Sequence, residues 1–279
     1  MWNELVLSLS VCILGLLATG CAFTPKPVML IEKPSKTLVL QSNNLKVAVV
    51  VRDSRPDTIQ RAKLCGTMRN TYMMPTSVAF LAHKETLDVL TAKHISNILS
   101  RAGYYVVGTY PEVPAALSDE KLKSPPVTDK ECKQARKINA SEKKPEKIDN
   151  KEGLALSENY EVDNSSIYWT KNDWHEQPDV ILDVTIDKFN SDSYQTIVTV
   201  FTQGWCDYKL ALRNPDAEKR TVVWGQGFKG MGTSGPRAVI AEDCYIMALN
   251  MAYWNMMGKI EENLRTDDFK QAVVNASGL

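Results

Sequence analysis

In the stretch Trp205-Cys206-Asp207-Tyr208-Lys209-Leu210-Ala211-Leu212-Arg213, the side chains Cys206, Tyr208, Leu210 and Leu212 alternate with Asp207, Lys209 and Arg213. A period of two, with apolar groups on one side and charges on the other, is the signature of a strand covered on a single face. The neighbouring segments repeat it. In Asp179 to Asp187, Val180, Leu182, Val184 and Ile186 share a face, and Asp179, Asp183 and Asp187 take the opposite one. Gln195 to Thr202 is rich in β-branched residues, and Thr221 to Phe228 sets Val222, Trp224 and Phe228 together. Short polar breaks at Asn190-Ser191-Asp192 and Asn214-Pro215-Asp216 predict antiparallel hairpins. Beyond them a long amphipathic helix is expected over Arg237 to Leu264, with the stripe Ile240, Cys244, Met247, Met251 and Trp254 as the cover for the sheet.

Toward the N-terminus, Leu45 to Val51 reads as a buried strand that ends at Arg52-Asp53-Ser54-Arg55-Pro56, where proline leaves the ladder. Glu85 to Ala102 carries Leu87, Leu90, Ile95, Ile98, Leu99 and Ala102 at helical spacing and stops at Gly103. Tyr104 to Val107 resumes as a strand. The expected class is α+β: a twisted, mainly antiparallel sheet with two helices packed on one face. Residues 111–178 are rich in Lys, Glu, Asp, Ser and Pro and read as a solvated, partly disordered insertion, with a short helix around Asp129 to Ile138. The segments 45–110 and 179–279 then form one interrupted domain.

The first residues have a different character. The uncharged run Leu5 to Leu17 leads into Ala18-Thr19-Gly20-Cys21, too short to span a bilayer but of the length of a signal core. It resembles a bacterial lipoprotein signal, residues 1–20, with Cys21 as the lipidated residue. By that resemblance Ala22 after the cysteine implies the outer membrane, with the protein facing the periplasm. Residues 21–44, with Pro25, Pro27 and Pro34, read as an extended linker able to lift the domain some tens of Å.

The order of Leu45–Val51, Asp53-Ser54-Arg55-Pro56, Gly66-Thr67-Met68-Arg69-Asn70, a helix closed by Gly103-Tyr104 and a following strand resembles the YajG-type family of bacterial lipoproteins. The resemblance covers roughly 45–107 and 179–264. It departs from the family at the 111–178 insertion and at Cys65, where an aliphatic residue is usual. It implies an envelope location and no established activity.

Thirty-three basic and 33 acidic residues balance, so no concentrated cationic field points to nucleic acid. Cys65, Cys132, Cys206 and Cys244 remain beyond the signal, in no Cys-x-x-Cys or Cys/His pattern, so no metal is expected. Cys206 and Cys244 both face the expected core, either as a sheet-to-helix disulfide or as two buried thiols.

Gly225-Gln226-Gly227-Phe228-Lys229-Gly230 matches the G-x-G-x-x-G pattern, but its strand belongs to a hairpin series. A flexible glycine connection is expected there, and no cofactor. The aspartates at 179, 183, 187 and 192 read as a solvated face rather than a calcium site. His83, His94 and His175 do not converge by spacing, and no nucleophile has a companion pattern, so no catalytic residue is expected. Met247, Met251, Met256 and Met257 read as core packing. Tyr168, Trp169 and Trp174 either fold back on the domain or meet a partner.

These readings make the chain a non-enzymatic, lipid-anchored envelope protein. It would hold the membrane through N-terminal acyl chains and serve as a binding or assembly module for a periplasmic or envelope protein. The alternative is a periplasmic small-ligand carrier or an envelope enzyme.

Overall fold

The computed structural model describes residues 25–32, 45–70, 72–111, 174, 176–195, 199–216, 222–238 and 244–278. The signal, Cys21, the short helix expected at 129–138, Cys132, Tyr168, Trp169 and His175 lie outside these. The described elements run β1 (Lys26–Val28), β2 (Lys46–Asp53), α1 (Asp57–Arg61), β3 (Leu64–Arg69), β4 (Pro75–Leu81), α2 (Leu87–Arg101), β5 (Tyr105–Tyr110), β6 (Val180–Gln195), β7 (Thr199–Arg213), β8 (Val222–Ala238), α3 (Cys244–Asn263) and α4 (Asp267–Ser277). The class is α+β, as expected.

The sheet is mixed. Its longest ladders are antiparallel, β6 on β7 and β7 on β8, along nearly the whole of each strand. Its first half joins by parallel pairing: β2 lies parallel to β5 and β6, β3 parallel to β6, and β1 parallel to β4, with β3 and β4 an antiparallel hairpin. β6 is the spine. One edge of it pairs with β7 throughout, while the other takes β2 over Val180–Ile186 and β3 over Asp192–Tyr194.

That edge is a fork, and Arg55 fills it. β2 peels away after Asp53, where Ser54 N (3.0 Å) and Ser54 Oγ (2.8 Å) both donate to Ile186 O. The buried Arg55 guanidinium donates to Asp53 through Nε (2.9 Å) and Nη2 (2.6 Å). Its Nη1 reaches Leu64 O (3.0 Å) and Phe189 O (3.2 Å), and the group lies 5.7 Å from the Phe189 ring centre. One side chain thus satisfies the carbonyls left where two strands exchange places. The Asp-Ser-Arg-Pro motif is the joint of the sheet, with Pro56 as the N-cap of α1.

The break expected at Asn190-Ser191-Asp192 does not occur; β6 runs through it and bulges between Ile186 and Lys188. The polar residues are satisfied across the sheet instead of turning the chain. Ser191 Oγ donates to Cys65 O (3.1 Å), Asp192 faces Arg69 (3.8 Å), and the Ser193 and Thr202 hydroxyls share a hydrogen bond (2.8 Å). Gly66 makes the first contact feasible, since a Cβ there would collide with Ser191.

The face carrying Val180, Leu182, Val184, Ile186, Cys206, Tyr208, Leu210 and Leu212 packs under α2, α3 and α4 as one core. α4 is an addition to the two expected helices. Thr266 Oγ1 caps it by accepting from Phe269 N (3.2 Å), and Phe269 packs edge-on against Trp224 and Tyr104. α3 is described from Cys244; Arg237 and Ala238 still belong to β8, and Ile240 of the expected stripe lies outside the described residues.

The expected stripe of α3 is displaced. Cys244, Ala248, Leu249, Ala252, Tyr253, Met256 and Ile260 face the sheet, whereas Met247 and Met251 are each 37% exposed. The cause is a floor of glycines. A Cβ on Gly204 would lie 2.7 Å from Ala248 O, and Cβ atoms on Gly232 and Gly230 would fall still closer to Ala248 O and Ala252 O. Helix backbone therefore rests on sheet backbone, with alanines at the seam. The G-x-G-x-x-G run is strand and helix seat, not a flexible connection. Met256 and Met257 are core, as expected; Met247 and Met251 are not.

The opposite face is not simply solvated either. Ala48, Val50, Val107 and Ile181 form a second apolar layer with Trp174, whose ring stands over Gly108, so Trp174 folds back on the domain. Asp183 is buried beside Arg213 (3.0 Å) and Arg52 (2.5 Å). Asp187 pairs with Lys209 (2.8 Å), and Asp179 accepts from Lys46 N (2.8 Å). The aspartates are strand-to-strand ties.

Two outcomes follow from this packing. Gly230→Ala drives a methyl into the α3 backbone and should cost about 1–3 kcal/mol in urea unfolding; Gly227→Ala, with nothing within 4 Å of its Cβ, should be neutral or slightly stabilising. Arg55→Met leaves Asp53 buried without its partner and should lower stability by about 3–5 kcal/mol in the same assay.

Candidate functional site

The most organised polar cluster among the described residues lies where the segment after β1, Met29 to Glu32, crosses α2 and α3. The segment has few neighbours of its own kind to bond, so side chains take its backbone groups. Leu30 N donates to His83 Nε2 (2.8 Å) and Ile31 N to Asn250 Oδ1 (2.8 Å). Asn250 Nδ2 donates back to Met29 O (2.8 Å), and Trp254 Nε1 donates to Ile31 O (2.5 Å). Glu32 accepts from Arg101 (3.2 Å) and Asn97 (3.0 Å). A strap is thereby pinned to both helices. Asn250, Met247, Met251 and Trp254 fall at helical spacing on one side of α3, which is why that side turns to the strap.

Beneath Glu32 the network enters the core. His94 Nδ1 and Tyr253 OH are 2.7 Å apart, and His94 Nε2 faces Glu32 at 4.0 Å. With Tyr253 donating to Nδ1, the ring proton sits on Nε2 toward the carboxylate. The Tyr208 hydroxyl meets Thr91 at 3.2 Å, and Arg101 Nε stands 3.6 Å from Glu261. Burial pulls His94 down to about 4, with Glu32 opposing, and burial raises Tyr208 and Tyr253 well above the ordinary phenol range. His94 and both tyrosines are therefore neutral at pH 7. The cleft lined by Glu32, His94, Arg101, Tyr253, Met257 and Glu261 leaves about 20 Å³ of free space, room for about one water. Its chemistry is that of a clamp on the strap.

A second recess of about 180 Å³ is lined by Asp53, Arg55, Gln60, Lys63, Thr86 and Asp88 among others. Two of its cations are already engaged, Arg55 at the fork and Lys63 Nζ with His83 O (2.7 Å) and Lys84 O (2.6 Å), while Arg61 is exposed at 3.8 Å from Asp57. Burial lowers Lys63 from its usual value.

The structure brings His83 and His94 to the same strap, His83 Nε2 at Leu30 N and His94 Nε2 toward the Glu32 carboxylate. It does not bring them onto a common point, and among the described residues no three His, Cys, Asp or Glu gather as metal ligands would. No disulfide joins Cys206 to Cys244; both are buried thiols. Cys65 is also buried, which pushes its thiol up to about 12. Glu32 and Asn250 were not singled out from sequence. Asn250 carried a signal, an amide set among apolar residues of the helix; Glu32 lay inside the expected linker and carried none.

No family model matches the chain, and no curated protein matches it. Among solved structures it is similar to a neuraminyllactose-binding hemagglutinin homolog from Helicobacter pylori, at 11% identity over 90% of this chain and 100% of that one, with a TM-score of 0.41. It is also similar to a Xanthomonas campestris protein of the family DUF330, at 9% identity over 87% and 91%, with a TM-score of 0.37. Among the described residues no helix is long and apolar enough to cross a membrane.

His94 gives the clamp a pH dependence. Its folded value lies below its unfolded 6.5, so the unfolded chain takes up the proton first as pH falls. Stability should be full above about pH 6.5 and decline by about 3 kcal/mol as pH drops toward 4, with His83, also lowered by burial, adding in the same direction. Urea unfolding across this range should show the decline, and His94→Gln should flatten it.

Proposed function

We propose that this chain is a non-enzymatic, lipid-anchored module of the cell envelope, held at the outer membrane by acyl chains on Cys21 and facing the periplasm. There it binds or assembles with a periplasmic or envelope protein. The observation that supports this most is the position of β1. Lys26 enters the sheet five residues after Cys21, beside β4, and the strap that follows is clamped to α2 and α3. A chain that spends its first strand and an entire polar cluster on fixing the residues next to its anchor is built to transmit that anchor to the whole domain.

The geometry also changes the tether. The linker expected over 21–44 is interrupted by β1, and residues 33–44 connect two parts of the domain. From Cys21 to Lys26 the chain spans at most about 18 Å, so the domain sits against the bilayer. Confinement of this kind raises effective concentration toward other envelope components, and modest contacts then suffice for assembly.

Replacement of the acceptor thiol tests the anchor. Wild-type protein should fractionate with membranes and carry an acylated N-terminal peptide by mass; Cys21→Ser should leave the membrane fraction and appear in the soluble periplasm. Unchanged membrane retention of Cys21→Ser would overturn the reading.

A further inference from the structure

The tip of the β3–β4 hairpin, Tyr72-Met73-Met74, is apolar and open to solvent. These side chains are 81%, 48% and 57% exposed. The tip is nevertheless firmly built. Asn70 N donates to Met74 O (3.0 Å) and Met73 N to Asn70 O (2.9 Å), while Asn70 Oδ1 accepts from both Tyr72 N and Met74 N (3.0 Å each). Arg69 at the base reaches Met73 O (3.4 Å). This bracing holds Met73 at φ 63°, a left-handed value uncommon outside glycine. Three apolar side chains displayed on a braced turn need something to cover them.

The register of β1 says what lies there. β1 runs parallel to β4, with Lys26 opposite Ala79 and Val28 opposite Leu81. Its N-terminal end therefore points toward the end of the sheet that carries the hairpin tip. Met74 lies five residues before Ala79, and Cys21 lies five residues before Lys26. Strand rise gives both about 17 Å. At full extension Cys21 reaches only about the level of the tip, and any less extended path draws the bilayer nearer. Met29 and Ile31, the exposed apolar residues of the strap itself, follow the opposite end of β1.

We propose that Tyr72, Met73 and Met74 rest in the headgroup–acyl boundary of the same bilayer that holds Cys21, giving the domain a second contact and hence a fixed orientation. This rests on acylation of Cys21. A tyrosine with a polar tip and two flexible thioethers suit that boundary, where one end of a side chain is wet and the other apolar. The two contacts, covalent lipid and hairpin tip, prevent the domain from swivelling about its linker.

The test uses the acylated full-length mature chain, its lipid mass verified, in vesicles of phosphatidylethanolamine and phosphatidylglycerol. Tyr72→p-benzoylphenylalanine places a photoreactive group on the tip, and Val223→p-benzoylphenylalanine places one near the far end of β8, where Val222 pairs with Arg213. Phospholipid adducts at position 72 and none at position 223 are expected. Acyl mass present with no adduct at position 72, or equal adducts at both positions, overturns the oriented contact while leaving the anchor intact. A protein adduct in place of lipid at position 72 in intact cells also overturns it. Acyl mass absent from the wild-type chain is the separate failure of the anchor itself.

Discussion

The Asp53–Arg55 pair is the constraint on which the sheet depends. β6 must serve two different strands along one edge, and at the changeover its backbone would otherwise face an apolar gap with unsatisfied carbonyls. Arg55 closes that gap with a bidentate bond to Asp53 and bonds to two carbonyls, and Phe189 supplies a face for the guanidinium. A buried cation is tolerable only when its charge and its donors are both met. Here they are met by groups on β2, β3 and β6 at once, so the pair fixes the relative placement of the two halves of the chain.

From that joint the rest is consequence. Holding β3 onto the far half of β6 brings the β3–β4 hairpin into the sheet, and β4 offers the outer edge on which β1 docks. β1 delivers the strap to the groove between α2 and α3. Its backbone is read there by Asn250, His83 and Trp254, and Glu32 ends the run against Arg101. The buried histidine and tyrosines that would invite a catalytic reading are the underside of this attachment.

The alternation in Trp205–Arg213 and Asp179–Asp187 was legible because the face under the helices is apolar along both strands. Legibility failed where polar or small residues were satisfied at long range. Asn190-Ser191-Asp192 has the composition of a turn, yet its groups bond β3 and β7 across the sheet. Gly225 to Gly232 has the composition of a loop, yet two of its glycines exist for the backbone of a helix. The strap's contact with Asn250 joins residues 219 apart, and local pattern carries no information on a pairing of that separation. The charge pattern of Asp53 and Arg55 was visible, but it read as a strand end, since nothing local discloses that two other strands will need the guanidinium.

The glycine seat of α3 has a consequence for how such a chain can drift over time. Gly204, Gly230 and Gly232 meet Ala248 and Ala252 backbone to backbone, so bulk added on either partner has nowhere to go. Related chains should change at this seam only by reciprocal exchange, a larger group below matched by lost volume above. Gly227, with nothing within 4 Å of an added Cβ, is released from that constraint and should vary freely.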